Sequence, residues 1–300
     1  MTNQTYAELH ITPGTTLIPA LNSWKLYLSD QGRSLHTVKA FAADLQLLTG
    51  YLPVDRTLGA ITTDDLNQFV QWLQKGRNVP CSPKTLSRRI TALKSFFNWL
   101  SKYGVLMVNP AEQVLQQSVI SPLPNVLSFA EVQQLYHTAE KLRTQKKPDA
   151  RPYCLFGLLI ETGIKKGECL NISLPHLELE NPDNATVFIR YANPDYRMKE
   201  RKIKVSPEWV SACQEFMSQY APTDKLFNWS QRRLEYILEE LGEAAGLRKH
   251  LSFDMCRWTS VLQDWKNSAD TDLIRQKLGI SKIQWREISM KLKELAARSL

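Results

Sequence analysis

The sequence lacks the cysteine and histidine groupings that disulfide frameworks and metal sites require. Its five cysteines are odd in number and far apart, and no CxxC pair or histidine cluster at metal-ligand spacing occurs. Disulfide-stapled and zinc-binding domains depend on such pairs. We therefore expect free, buried thiols in a reducing cytoplasm, with no metal and no cofactor.

Long apolar runs are also missing. The apolar stretch at 155–160 is far too short to cross a bilayer. The first residues carry no basic segment followed by an apolar core, which a secretory signal would need. We expect neither export nor membrane insertion, and we expect a cytoplasmic protein.

Acidic residues are scarce in one part of the chain. None occurs between Asp65 and Glu112, and the net charge of the 300 residues is +8 with a pI of about 9.2. Clustered lysine and arginine side chains gain affinity for nucleic acids by displacing counterions from the phosphates. The charge therefore favours a polyanionic partner, although many mildly basic proteins bind no nucleic acid.

Apolar periodicity predicts a mainly α-helical chain with a small antiparallel sheet. Four amphipathic helices are indicated in residues 16–108, with capping signals at Thr62 and Asp65 and at Ser82 and Pro83. A proline-containing linker is predicted at 109–126, after a tail at 1–15. Residues 127–300 follow as an α+β domain, with strands expected within 171–179, 186–191 and 202–205.

The fourth helix presents a basic face. Its apolar stripe leaves a separate face of cations and hydroxyls, and such a face suits contact with phosphates and, through arginine, with guanine edges. A solvated basic face without any partner is the competing interpretation. The candidate DNA-binding side chains are Lys84, Thr85, Arg88, Arg89, Thr91 and Lys94.

Arg88 and Arg89 are both assigned to the outward face of this helix, so replacing them is expected to leave stability nearly unchanged. A weaker second candidate lies at the start of the second helix, in His36, Thr37 and Lys39. A lone histidine there is more often an ordinary surface residue.

One helix and four motifs that follow it in order make the chain resemble the tyrosine recombinases, the phage-integrase and Xer family. The helix at 82–100 resembles the last helix of that family's core-binding domain. Residues 161–168 resemble its T-G-x-R-x-x-E motif, and residues 198–201 resemble the N-K-E-R of its hairpin. Residues 252–259 resemble its P-H-x-L-R-H-T motif, and residues 278–283 resemble its L-G-H-S-x-I motif.

The resemblance implies a two-domain clamp around duplex DNA, with a four-helix core-binding domain and an α+β catalytic-like domain. It also implies phosphoryl transfer by a tyrosine, two arginines, a histidine or tryptophan donor and a lysine. Most of these positions are degenerate here, so no catalytic residue is assigned. At the degenerate positions, Lys165 stands in place of an arginine, Asp254 of a histidine, Ile280 of the histidine or tryptophan donor and Ser289 of the nucleophile. Arg257 is retained.

Several roles stay open at these positions. Arg257 is expected either to pair with Asp254 three residues earlier or to contact DNA. The hairpin lysine is not assigned, although Lys199 and Arg201 join Lys165 and Arg257 as candidate DNA contacts. Tyr236 is the last tyrosine in the chain, so no tyrosine near Ser289 can replace it.

The favoured hypothesis is a catalytically inactive, sequence-specific DNA-binding protein that regulates transcription or organises a DNA site. The alternatives are a recombinase with a rearranged active site and a protein-interaction scaffold that no longer binds DNA. The amphipathic segment 282–300 suggests a homo-oligomer on DNA, because the family's last helix docks onto a neighbouring subunit. Ile283, Ile288, Leu292 and Leu295 are expected on its inward face.

Overall fold

The computed structural model describes residues 11–116 and 122–298. The chain divides into two compact units, residues 1–121 and 122–300. The mainly α-helical class with a small antiparallel sheet is confirmed. The described part of the predicted tail, 11–15, bonds to the segment around residue 58, and the rest of that tail lies outside the described residues.

Residues 11–116 of the first unit form four α-helices. Capping side chains start the last three: Ser34, Thr62 and Ser82 each accept a hydrogen bond from a backbone N–H of the first turn. The caps at Thr62 and Ser82 were predicted, and the cap at Ser34 was not. A π-helical turn follows the third helix. The helices are α1 (Leu17–Asp30), α2 (Leu35–Tyr51), α3 (Thr63–Gln71) and α4 (Pro83–Lys102).

An aromatic core holds these helices together. Trp24 of α1 lies fully buried against Phe41 of α2 and Phe96 of α4. Two residues of the predicted linker, Ala111 and Val114, are also buried in this core. Residues 117–121 of that linker lie outside the described part of the chain.

The second unit packs helices around the buried helix α6, with Phe156 and Trp209 among its largest enclosed side chains. The Ser128 and Glu131 capping box begins its first helix. The helices are α5 (Phe129–Thr144), α6 (Arg151–Thr162), α7 (Lys166–Cys169), α8 (Pro207–Tyr220), α9 (Gln231–Ala244), α10 (Phe253–Lys266), α11 (Thr271–Lys277) and α12 (Lys282–Arg298).

Three antiparallel strands complete this unit in the order β1, β2, β3. Val187 pairs with Leu177 on one side and with Ile203 on the other. The first strand is much shorter than predicted, because a helical turn at Leu174–His176 lies in the middle of the expected stretch and leaves only Leu177–Glu178 as a strand. The strands are β1 (Leu177–Glu178), β2 (Thr186–Ile189) and β3 (Arg201–Lys204).

Candidate nucleic-acid interface

The basic face of α4 forms on the outside of the first unit. Lys84, Arg88 and Thr91 are exposed, whereas Thr85 and Lys94 are half-buried. Pro83 at the first helical position and the Ser82 cap fix where the helix begins, and the 3.6-residue period then places these side chains along one side. Cations and a hydroxyl therefore line up on a solvent-facing surface.

Arg89 corrects the sequence prediction, since its side chain is only 15% exposed. Its Nε lies 3.5 Å from Oδ1 of Asp44, whose own side chain is 4% exposed, and its Nη1 also contacts the Cys81 sulfur. Arg88, 42% exposed, donates to the other Asp44 oxygen. Arg89 thus lies in the α2–α4 interface, because a buried carboxylate there needs a cation.

Asp44 was not singled out by its sequence context, which is an ordinary amphipathic helix. Burial raises the pKa of the Asp44 carboxyl, and the charges and hydrogen bonds of Arg88 and Arg89 lower it in part. Arg88 consequently stabilises the contact between α2 and α4 and also offers its exposed part to a partner in solvent.

Gln116 is a second residue that sequence reasoning missed. Its side-chain amide donates to the Ser87 carbonyl and to the Thr91 hydroxyl, which lies 3.0 Å away. The contact spans 25 residues of chain, and no local pattern indicates it. It places an amide on the basic face.

The α2 candidates lie on the adjoining helix. His36 and Lys39 are exposed, and the half-buried Thr37 hydroxyl lies 2.9 Å from Ser34 Oγ. Arg88 reaches the Ala40 carbonyl of α2 at 3.4 Å, so the two helices are neighbours here. The structure therefore brings both groups of sequence candidates into one region of the first unit.

In the second unit, Lys165 is partly accessible. Its side chain is 41% exposed, with Nζ 4.0 Å from Glu168 Oε1 and 3.5 Å from the Gly279 carbonyl. Burial lowers the pKa of this ammonium, and the Glu168 charge opposes that shift. Lys165 offers one point charge, where an arginine would offer a two-pronged donor.

Arg201 corrects another sequence prediction. Its side chain is 9% exposed and donates to both oxygens of Glu168, to the Lys199 carbonyl and to the Lys277 carbonyl at 2.6 Å. Glu168 also accepts from the Tyr191 hydroxyl. Arg201 is therefore not the exposed phosphate contact expected from the sequence.

The same pairing determines the ionisation of this network. Burial alone would raise the pKa of Glu168, but the Arg201 charge and hydrogen bonds lower it. Burial and the bond to Glu168 raise the pKa of Tyr191 to about 12. Glu168 matches the acidic residue of the T-G-x-R-x-x-E motif. This match is the sequence signal that could have indicated the network.

Arg257 does not pair with Asp254, as no ion pair within residues 11–116 and 122–298 joins them. Its Nη1 donates to the Gly163 carbonyl and its Nη2 to the Leu278 carbonyl at 3.0 Å. Burial lowers the pKa of this guanidinium to about 10. Both terminal nitrogens are thus engaged by backbone, and Asp254 is exposed.

The two remaining degenerate positions lie near the end of the unit. Ile280 is buried in an apolar cluster with α10 and α12, and Ser289 donates to the Arg286 carbonyl of its own helix. Ile283 is 79% exposed, which contradicts its predicted inward position. Leu292 and Leu295 are buried as expected, and Ile288 is partly buried.

Lys199 lies at the end of the helical turn Pro194–Lys199, between β2 and β3. Its Nζ lies 4.4 Å from the centroid of the Tyr196 ring. Arg197 and Tyr196 are exposed beside it. The geometry leaves the family's hairpin lysine unassigned.

Neither a metal site nor a membrane span is formed by the part of the chain that the structure describes. No group of three potential metal ligands converges there, and no helix there is both long and apolar enough to span a bilayer. What the described side chains offer chemically is charge and hydrogen bonding toward an anion.

A four-helix unit followed by an α+β unit with a three-stranded sheet defines the class of protein. Residues 21–104 match the phage integrase N-terminal SAM-like domain, and residues 125–288 match the phage integrase family. The chain therefore belongs to the phage integrase family, that is, to the tyrosine recombinases.

Relatives span most of the chain at low identity. Tyrosine recombinase XerD of Listeria innocua is 23% identical over 273 residues, covering 86% of this chain and 89% of that protein. Tyrosine recombinase XerC of Lacticaseibacillus casei is 26% identical over 273 residues, covering 85% and 87%.

Solved structures share the fold. XerH site-specific recombinase bound to palindromic difH substrate, in a post-cleavage complex, has a TM-score of 0.72 at 19% identity, covering 90% of this chain and 80% of that one. A lambda integrase dimer bound to a COC' core site has a TM-score of 0.70 at 14% identity, covering 96% and 81%.

Proposed function

We propose that this protein is a sequence-specific, duplex-DNA-binding member of its family that does not cleave DNA. The observation that carries the proposal is the exposed face of α4, where Lys84, Arg88 and Thr91 lie in a region without exposed carboxylates from 66 to 111. Lysine and arginine on such a face neutralise phosphates, and hydroxyls add hydrogen bonds to them.

The loss of cleavage follows from the positions in the second unit. The Ser289 hydroxyl donates to the Arg286 carbonyl of its own helix, and no base among the described residues is hydrogen-bonded to it. Ile280 cannot donate a hydrogen bond, and Asp254 would place a carboxylate near a phosphate. Each lost transition-state donor costs about 100-fold to 1000-fold in rate.

Lys165 and Lys199 are the second-unit side chains that we assign to phosphate contact. Both carry an ammonium that is at least partly accessible. Arg257 stays a candidate only through the donors it has left, Nε–H and the second hydrogen of each terminal nitrogen, because each terminal nitrogen donates one bond to backbone. We assign Arg201 no contact with DNA.

The biological role that we propose is transcription regulation or organisation of a DNA site, in association with the nucleoid. Assembly into a homo-oligomer through α12 belongs to this proposal. Ile283 and Met290 are exposed seven residues apart on one side of that helix, which supports an apolar contact with a second copy.

A salt titration with a matched variant tests DNA binding. Affinity for duplex DNA should fall with salt, and Lys84→Ala should reduce the magnitude of the log–log slope by about 0.9, the contribution of one phosphate contact. Lys146→Ala, which removes an equally exposed lysine of the second unit, should leave the slope unchanged. Absent binding at low salt would refute the proposal and favour a scaffold.

A further inference from the structure

The outward face of the three-stranded sheet carries a charged strip with one aromatic ring. Along β2, Val187 and Ile189 are buried, so Phe188 and Arg190 lie on the opposite face. Phe188 pairs in register with Lys202 of β3. We call the following residues the sheet strip: His176, Phe188, Arg190, Lys202 and Lys204.

Three nitrogen-bearing groups surround the Phe188 ring. The Arg190 guanidinium carbon lies 5.5 Å from the ring centroid, the Lys202 ammonium 5.9 Å and the His176 ring centre 6.3 Å. Cations at this distance are attracted by the ring face. The ring therefore holds a planar guanidinium and an ammonium close together on the surface.

The strip keeps a positive balance. Lys202 pairs with Glu178, and Lys204 lies 3.4 Å from the Asn184 amide oxygen. Arg190 is exposed and forms no ion pair within the described ranges. Arg190, Lys202 and Lys204 thus carry three positive charges, against the Glu178 carboxylate beside Lys202 and the Glu200 carboxylate that acts on His176. The Arg190 guanidinium keeps all its donors for an external group.

A cleft of about 400 Å³ adjoins the strip beside Arg190. His176 in its wall accepts from the Ser173 N–H at Nδ1, so Nε2 carries the proton and can donate. Burial and the charge of Arg190 lower the pKa of His176, which favours this neutral form. The carboxylate at the wall, Glu168, is already bonded to Arg201.

We propose that the sheet strip and this cleft bind a single-stranded nucleic-acid segment. Phosphates pair with Lys204, Lys202 and Arg190, and an unstacked base lies on the Arg190 guanidinium or enters the cleft to bond with His176. Bases stack on aromatic rings and on guanidinium planes only when they leave the duplex. A duplex would use the cations but neither the plane of the Arg190 guanidinium nor the cleft.

An acidic protein segment is the main alternative partner for such a surface. The strip has no large, fully exposed apolar side chain that would anchor a protein contact, since Phe188 is half-buried. Charge, a planar stacking group and a polar cleft together fit a polynucleotide better. The face also differs from the α4 surface proposed for duplex DNA.

Fluorescence anisotropy with labelled oligo(dT) and with a duplex of equal length tests the assignment. The Arg190→Ala, Lys202→Ala, Lys204→Ala triple variant should lose single-strand affinity and lower its salt slope by about 2, at about 0.7 per phosphate. Its matched control removes three exposed lysines elsewhere on the unit, Lys141→Ala, Lys146→Ala and Lys147→Ala. That control should bind like the parent.

Other outcomes overturn the proposal. An unchanged single-strand affinity in the triple variant refutes it directly, and a loss of duplex affinity alone assigns the strip to duplex contact. Binding of poly-glutamate that the triple variant loses, without any effect on oligo(dT), assigns the strip to an acidic protein. Arg190→Ala alone, at an exposed side chain without an ion pair, gives the same test if the triple variant does not fold.

Discussion

Replacing both Arg88 and Arg89 by alanine should strongly destabilise the first unit, opposite to the expectation from the sequence alone. The double variant leaves Asp44, 4% exposed, without its two cationic partners. Breaking a buried ion pair by removing one side costs about 3–5 kcal/mol, because an unpaired charge stays in the interior. Arg88→Ala alone should cost less, because Arg89 remains and Arg88 is partly exposed.

The deficit, that is, the unfolding free energy that the double variant loses relative to the parent, should depend on pH in a defined direction. Burial raises the pKa of Asp44 in the folded protein, so protonation favours folding and the ionised carboxylate is the costly form. Loss of the arginines raises that pKa further. The double variant should therefore be closest to the parent at acid pH, and its deficit should grow as the pH rises through the folded pKa of Asp44.

Urea unfolding of parent and double variant at roughly pH 5 and roughly pH 8 measures both effects. Adding Asp44→Asn to the double variant removes the stranded charge and should recover much of the lost stability at the higher pH. Equal stability of parent and double variant at the higher pH, or no recovery with Asp44→Asn, would refute the buried-pair argument.

Two further predictions concern the second unit. Gly279→Ala should lower the melting temperature, because Gly279 has a φ of +58° and an added Cβ would lie 2.5 Å from Nη1 of Arg201, whose nitrogens are held by Glu168 and backbone carbonyls; an unchanged melting temperature contradicts this. Nicked DNA substrates that trap covalent intermediates should give no adduct, and Ser289→Tyr alone should not restore cleavage, since Ile280 still lacks a donor worth about 3 kcal/mol. A trapped adduct in the parent protein would establish an enzyme.

Local sequence patterns were enough to predict the helices of the first unit and the residues where several helices begin. Ser82 with Pro83, Thr62 with Asp65 and Ser128 with Glu131 are local signals, because a cap and its partner lie within one turn. Periodicity likewise placed Lys84, Arg88 and Thr91 on the outward face of α4. The ordered motifs indicated the family, and the family matches over both units confirm it.

Which cations are free to meet an anion depends on tertiary contacts. Arg89 and Arg201 have the same side chain as Arg190, but each pairs with a carboxylate from a distant segment and is largely buried. Arg88 also donates to Asp44, yet it stays partly exposed. Asp44 is 45 residues from Arg89 in sequence, and Glu168 is 33 from Arg201. Local patterns contain no information about such partners, since ion pairing in a fold depends on distance in space and on the loss of water around the charge.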